Sequence, residues 1–416
     1  MSGQHKKNTN SYFPYFLFMK SLLIISFYFF LTLTAIADNN QWTSHFQHIA
    51  DSLIKTSSLA DQSQIGIHIY DLTADSTVYA YGKDQMMRPA SVLKLLTAAS
   101  ALYHLGGNYQ YTTSLYIQGS CREDSVLQGN LYIKAGYDPC FNEEDMKALA
   151  DSLESRGIKC INGNIYTDLS FKDTLKMGYG WLWNWQKDEL PLTPLLYHAD
   201  DTFMDAFMNE LDLRGIIHPI QSVSCVLPTD KDISLLCRRH HCIDEVLLKM
   251  LKDSNNQYAE SLFYQLASSD RPPYSNYRPS SQSVKDFIQN ALGENPDRYD
   301  VYDGSGLSVY NCLSPSLIVK LLRYIHLHPA LYRHIYPSLP IAGEDGTLSR
   351  RMKKAPLYYN VRAKTGTVRR VVTIAGYCTH NQGHHLAFAI FHNGIASSKE
   401  VRNWDDVFLE TLVNSH

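Results

Sequence analysis

Three short stretches of this chain carry residues able to perform acyl transfer. Ser91 and Lys94 lie three apart in Ser91 to Leu105 (SVLKLLTAASALYHL), which follows Arg88-Pro89-Ala90 and stops at Gly106-Gly107. Proline before and glycine after bound a helix, and a spacing of three puts both side chains on one face. Ser91 then stands at the helix start, where outward N–H groups favour developing negative charge. A serine hydroxyl is a weak nucleophile and needs a base. A lysine serves if burial or a second cation lowers its pKa. Taken alone, the pair is better explained as an N-cap serine beside a solvated lysine.

The second stretch is Ser254-Asn255-Asn256, inside the apolar pattern Val246 to Leu266. Serine and asparagine favour helix ends over helix interiors, so they predict a break between two helices. Ser254 could relay a proton there, and Asn256 could hold a substrate amide. The third is Lys364-Thr365-Gly366-Thr367, on a strand expected over Val361 to Thr367. Its glycine permits close backbone approach, the lysine and threonine can hold a carboxylate, and a strand edge can pair with an extended peptide. A polar helix junction and an exposed strand end would each explain one stretch. Together, in this order, they form the S-x-x-K, S-x-N, K-T-G set of penicillin-interacting serine enzymes.

The elements that must position these groups are legible in outline. Gln64 to Tyr70 and Ser76 to Tyr81 read as strands joined by a Thr73-Ala74-Asp75 turn. Val361 to Thr367, Val371 to Cys378 and His385 to Phe391 read as three more, with a turn at His380 to Gly383. Helical patterns cover His45 to Leu59, Thr202 to Leu213 and Asp244 to Leu266. There is no internal repeat and no low-complexity linker.

With the three motifs in hand, the chain resembles the D-alanyl-D-alanine carboxypeptidases of the DacB type, the class C low-molecular-mass penicillin-binding proteins. Arg88 to Ala99 (RPASVLKLLTAA) resembles their nucleophile helix, Arg362 to Thr367 (RAKTGT) their third motif, and YDGSGLS (302–308) and SLPIAGEDGTL (338–348) their other signatures. The likeness implies an α/β fold of the α+β type. A penicillin-recognition domain, β-lactamase/transpeptidase-like, would pack helices on an antiparallel sheet and carry an inserted smaller α/β module. That gives a signal peptide over 1–37, the recognition domain over 38–107 and 236–416, and the module over 108–235. The further small domain that many members nest in the module is expected to be absent, because only about twenty residues separate Trp181 from Thr202. The family's Gly-Trp-Pro-Trp pattern is altered to Gly180-Trp181-Leu182-Trp183.

The resemblance also implies roles. Ser91 would attack the carbonyl of the penultimate D-Ala, Lys94 would take its proton, and Ser254 with Asn256 would return it to the departing D-Ala. Lys364 and Thr365 would hold the terminal carboxylate, Gly366 would let the substrate approach, and the N–H groups of Ser91 and Thr367 would form an oxyanion hole. Asp168, in NIYTDLS (164–170), matches a family carboxylate at the rim of the site that meets the ammonium of a diaminopimelate side chain. The expected partners are peptidoglycan stem peptides, with β-lactam antibiotics as covalent inhibitors. Endopeptidase action on D-alanyl cross-links is also implied. Neither a cofactor nor a metal is expected. One alternative is a β-lactamase, disfavoured because no E-x-x-L-N stretch supplies a deacylating glutamate. The other is a catalytically idle wall- or β-lactam-binding sensor.

Composition limits the remaining classes. With 416 residues, 44% hydrophobic and 19% charged, the chain can bury two or three cores and is not a disordered or fibrous protein. The net charge of −3, with no basic stripe, argues against nucleic acid as a partner. Ser21 to Ala37 is one apolar run behind Lys20, ending in Ala35-Ile36-Ala37, so a signal peptide cleaved after Ala37 and a periplasmic location are expected, with Met19 as an alternative start. No later run spans a bilayer, which leaves membrane contact at most peripheral. Export permits disulfides, and the eight cysteines are expected to form a few bridges beside buried thiols. Cys237-Arg-Arg-His-His-Cys242 gathers ligand-type residues, but metal sites usually draw on more than one such cluster.

Overall fold

The computed structural model describes residues 1–3, 41–182, 192–229, 232–267 and 275–416. Residues 4–37 of the expected signal peptide and its cleavage point lie outside the described residues, as do Trp183 and the rest of 183–191 in the stretch between Trp181 and Thr202.

The first layer is a five-stranded antiparallel sheet. It contains β1 (Gln64–Asp71), β2 (Ser76–Tyr81), β11 (Arg362–Val368), β12 (Val371–Thr379) and β13 (His385–Asn393), in the order β11-β12-β13-β1-β2. Its strands alternate with period two. Leu386, Phe388 and Ile390 of β13 join one apolar cluster, while Ala387, Ala389 and Phe391 join the opposite one. On the first face sit helix α1 (41–56), through Trp42, Phe46, Ala50 and Ile54, and α11 (Ser398–Asn414), through Phe408, Leu409 and Leu412. A four-residue turn of helix, α2 (Leu59–Gln62), leads from α1 into β1. On the other face pack α3 (Leu93–Leu105), α6 (Ile243–Lys252), α7 (Asn256–Gln265), α8 (Tyr277–Asn290), α9 (Pro315–Leu327) and α10 (Pro329–Ser338). The sheet face beneath them is lined by Ala375, Ala387 and Ala389, small residues that allow close helix packing.

A second sheet lies in the chain between α3 and α6. It contains β3 (Gln110–Gln118), β6 (Leu131–Lys134), β8 (Ile165–Asp168), β9 (Ser222–Ser224) and β10 (Ile233–Cys242), in the order β10-β3-β6-β8-β9. Pairing is antiparallel from β10 to β6 and parallel from β6 to β9. Helices α4 (Glu143–Glu154) and α5 (Phe203–Leu213) share its apolar core, and a small sheet of β4 (Ser120–Cys121), β5 (Val126–Gln128) and β7 (Cys160–Asn162) flanks it. Strand β10 crosses residue 235, where the sequence suggested the module would end, and feeds directly into α6.

The Cys237-to-Cys242 run lies within β10. His241 sits between two buried carboxylates, 2.7 Å from Asp138 and 3.2 Å from Asp145. Burial opposes its charge, but these hydrogen bonds outweigh it and push its pKa up to about 10. This ionic link ties β10 to the segments before and within α4. The expected disulfides are not formed: all eight cysteines are free thiols, from exposed Cys121 to buried Cys378, and Cys237 and Cys242 share strand β10. Among the described residues, no helix is long and apolar enough to cross a membrane.

Candidate active site

The turn before α3 is held by three hydrogen bonds from two strands. Asn393 on β13 brackets Arg88, accepting from its N–H (3.0 Å) and donating to its carbonyl (3.1 Å). Thr373 on β12 donates to the Pro89 carbonyl at 2.8 Å. Ala90 has a φ of +45°, a conformation that L side chains adopt only under constraint. A short 3₁₀ turn, Ala90–Val92, then presents Ser91 at the start of α3.

Lys94 follows on the buried face of α3 and is fully inaccessible to solvent. Its ammonium nitrogen lies 3.0 Å from Ser91 Oγ, 2.7 Å from Asn256 Oδ1 and 2.8 Å from the Ser305 carbonyl. Two of these three neighbours are pure acceptors. A neutral Lys94 amine therefore spends both N–H bonds on Asn256 and Ser305, and its lone pair faces the Ser91 hydroxyl.

The expected break in the long helical pattern is present. Helix α6 ends at Lys252, Ser254 takes a φ of +59°, and α7 begins at Asn256, capped by the Asn255 side chain. This turn carries Ser254 and Asn256 to the Ser91 helix from a separate element. Ser254 Oγ accepts from Lys364 Nζ at 2.8 Å, and the same ammonium donates to the Thr365 carbonyl at 2.7 Å. Lys364 is also fully buried. Burial holds its pKa well below the usual lysine range, and a charge on the neighbouring Lys94 would lower it further.

Strand β11 forms one edge of the main sheet, and Gly366 lets it approach the Ser91 turn. A Cβ at Gly366 would lie 2.2 Å from Thr373 Oγ1, 2.9 Å from Ser91 N and 3.0 Å from the Pro89 carbonyl. Gly366→Ala is therefore expected to push β11 off the nucleophile turn. A misplacement near 1 Å costs about 100-fold in rate, so penicillin acylation, followed in stopped flow, should slow by that order. The side chains of Thr365 and Thr367 flank the glycine. Thr365 Oγ1 donates to Thr347 Oγ1 at 2.7 Å, and Thr367 Oγ1 accepts from Arg402 of α11 at 3.0 Å.

Several groups outside the three motifs support this centre. Asp303, in the YDGSGLS stretch, accepts from the N–H groups of Gly306 (2.9 Å) and Ser308 (2.5 Å), and from Asn311 (2.7 Å) and Trp181 Nε1 (2.8 Å). Glu260 on α7 accepts from the N–H groups of Gly304 and Ser305. Burial and the Asp303 charge push its pKa up to about 8. These bonds fix the loop that aims the Ser305 carbonyl at Lys94. The stretch, with Asp303 in it, was readable as a signature, but Glu260 reaches it from α7 through tertiary contacts. Arg402 had no sequence signal, lying 35 residues beyond Thr367 on another element.

Asp168 departs from the expectation of a rim carboxylate. It ends β8, is only 2% exposed, and spends both oxygens on backbone N–H groups, Oδ1 on Ser170 (2.9 Å) and Oδ2 on Leu227 (3.0 Å). A carboxylate satisfied and covered in this way anchors the 225–227 segment and does not face a solvent-borne ammonium. Asp168→Asn would turn one acceptor into a donor facing an N–H, leaving a buried group unsatisfied. The expected result is a loss of about 1–3 kcal/mol of stability in chemical denaturation, with losses of equal size on penicillin and on a diaminopimelate peptide.

The chain matches the model of the D-Ala-D-Ala carboxypeptidase 3 (S13) family over residues 47–195 and 185–412. It is 25% identical to the D-alanyl-D-alanine carboxypeptidase DacB of Haemophilus influenzae, over 82% of this chain and 88% of that protein. It is 23% identical to a D-alanyl-D-alanine carboxypeptidase of an Actinomadura species, over 79% and 77%. Among solved structures, penicillin binding protein 4 (dacB) from H. influenzae superposes with a TM-score of 0.78 at 23% identity, over 88% of this chain and 99% of that one. A predatory peptidoglycan endopeptidase from Bdellovibrio bacteriovorus superposes with a TM-score of 0.57 at 15% identity, over 85% and 94%. The superpositions show the fold, and the family match, which takes in all three motif-bearing elements, shows that this chain belongs to the D-Ala-D-Ala carboxypeptidase 3 (S13) family.

Proposed function

We propose that the chain is a serine D-alanyl-D-alanine carboxypeptidase that trims peptidoglycan stem peptides through an acyl-enzyme on Ser91, and that β-lactams acylate the same serine. The observation that carries this reading is the convergence of Ser91, Lys94 and Asn256 around one buried amine, with Lys364 and Ser254 beside them. Lys94, as the neutral amine, takes the Ser91 proton while Oγ attacks the carbonyl of the penultimate D-Ala. The N–H groups of Ser91 and Thr367 stabilise the oxyanion. One such donor is worth about 2.7–4 kcal/mol in a comparable serine enzyme. Ser254 accepts from Lys364, so its own proton is free to pass to the departing amine. Lys364, Thr365 and Thr367 hold the terminal carboxylate. Water then releases the shortened stem.

The same reading places the mature chain in the periplasm after cleavage at Ala37, with 38–107 and 236–416 as the recognition domain and the segment between as an inserted module. Release of D-alanine from a synthetic pentapeptide, read by a D-amino-acid oxidase assay, tests it. Steady release at one D-alanine per stem supports the proposal. A protein that binds penicillin but releases none is a sensor, and one that turns penicillin over rapidly is a β-lactamase.

A further inference from the structure

We infer that Asp303 is a positioning residue for the general base. It acts on Lys94 through the Ser305–Gly306 peptide group and supplies the negative charge that balances the ammonium formed during attack. The inference rests on the proposed acyl-transfer reading and deepens it, by naming what makes a fully buried lysine usable as a base.

The Ser305 carbonyl accepts from Lys94 Nζ at 2.8 Å. The N–H of the same peptide bond, that of Gly306, donates to Asp303 Oδ1 at 2.9 Å. Lys94, one peptide group and a carboxylate therefore form a single hydrogen-bonded chain. Each link in such a chain polarises the next, so a negative charge on Asp303 makes the Ser305 oxygen a stronger acceptor. The peptide group is wedged in place. Gly306 has a φ of +90°, and a Cβ there would lie 2.0 Å from the Ala90 carbonyl, in the turn that carries Ser91. Asp303 is 1% exposed. It also takes N–H donors from Ser308, Asn311 and Trp181, a set that suits a carboxylate, which only accepts.

The neighbouring peptide group provides an internal comparison. The Ser305 N–H donates to Glu260 Oε1 at 2.9 Å, but the carbonyl of that peptide, on Gly304, accepts from Thr97 Oγ1 at 2.8 Å. Glu260 is as buried as Asp303, yet its line ends on a hydroxyl and not on the base. With a pKa pushed up to about 8, Glu260 is mostly protonated at neutral pH and adds little charge.

The consequence for the reaction is electrostatic. When Lys94 takes the Ser91 proton, a buried ammonium forms against Asn256 Oδ1 and the Ser305 carbonyl, both of them neutral acceptors. Lys364 from β11 and Glu260 and Tyr264 from α7 also interact with this chain, and the Lys364 charge opposes a second cation. Asp303 supplies the opposite sign, as the buried carboxylate of a serine-protease triad does for its histidine. A carboxylate that favours the charged form of a lysine raises its pKa. Its removal lets the lysine shed its proton at lower pH and leaves a weaker base.

Asp303→Asn and Glu260→Gln are compared by penicillin acylation in stopped flow across pH. The acid limb of the profile reports the loss of the Lys94 proton. In Asp303→Asn the limb should move to lower pH by about one unit, and the plateau should fall about tenfold or more. In Glu260→Gln the limb should stay where the wild type has it. A loop that is only loosened would lower both plateaus and move neither limb. That result, or an Asp303→Asn limb displaced to higher pH, overturns the inference. The wild-type rate reports separately on the acyl-transfer reading.

A measurement on the unaltered protein covers the case in which Asp303→Asn does not fold. Ser-Gly occurs in the sequence only at 2–3 and 305–306. Isotope labelling of serine carbonyl carbon together with glycine nitrogen therefore singles out this peptide group by NMR, beside the terminal Gly3. The Gly306 amide proton should move downfield as Lys94 gains its proton, because the N–H bond to Asp303 tightens. The movement should vanish in Lys94→Met. A wild-type Gly306 signal that does not follow the acid limb overturns the inference.

Discussion

Ser91→Ala is expected to end both D-alanine release and covalent labelling by a fluorescent penicillin while the protein stays folded. Every acyl transfer in the proposed scheme passes through Oγ of this one residue. Ser91 Oγ lies 3.0 Å from the Lys94 amine, whereas Ser254 Oγ accepts from Lys364. Loss of the nucleophile in a comparable serine hydrolase costs about a millionfold in kcat, so the residual rate should fall below detection. The fold has little reason to suffer. Ser91 lies within a 3₁₀ turn, and the N-cap position of α3 is Val92, so the change removes less than the ~1 kcal/mol typical of a lost helix cap. Labelling retained by a folded Ser91→Ala protein would place the nucleophile elsewhere.

The second large effect is expected at Lys94. Lys94→Arg keeps a cation in the pocket but cannot give up its proton at usable pH, whereas Lys94→Met keeps much of the volume and removes the amine. If Lys94 serves as a base, both variants should acylate about 10²–10⁴-fold more slowly. If it serves only as a charge, Arg should retain much of the rate and Met should lose it. Because Lys94 is fully buried and lies within 3.0 Å of three groups from three segments, both variants need circular dichroism beside the kinetics. A folded Lys94→Arg protein acylating at near wild-type speed would contradict the assignment.

Much of this site was legible in the sequence because its chemistry is local. Ser91 with Lys94, Ser254 with Asn256, and Lys364 to Thr367 are each a few residues long and lie on elements whose periodicity is plain. The strands on either side of the His380-to-Gly383 turn could be read the same way, since alternation survives in Leu386 to Phe391. What could not be read depends on distant chain. The Ser305 carbonyl faces Lys94 because Glu260 of α7 holds its loop together with Asp303, and Glu260 is not marked by spacing. Arg402 meets Thr367 from the last helix. Asp168 looks like an exposed turn residue until the 225–227 segment covers it. Strand β10, with two arginines and two histidines in a row, carries no apolar alternation at that end, and its pairing with β3 is a tertiary fact. The cysteines illustrate the same limit, because their separation in the fold is invisible in their spacing.

The account stands most directly on the identity of the acylated atom. Benzylpenicillin, incubated with the intact protein and followed by mass spectrometry and peptide mapping, should add one penicilloyl group per chain, on Ser91. The adduct should decay slowly, because no dedicated glutamate base is apparent in the sequence. An adduct on any other residue, or no adduct on a folded protein, would contradict it.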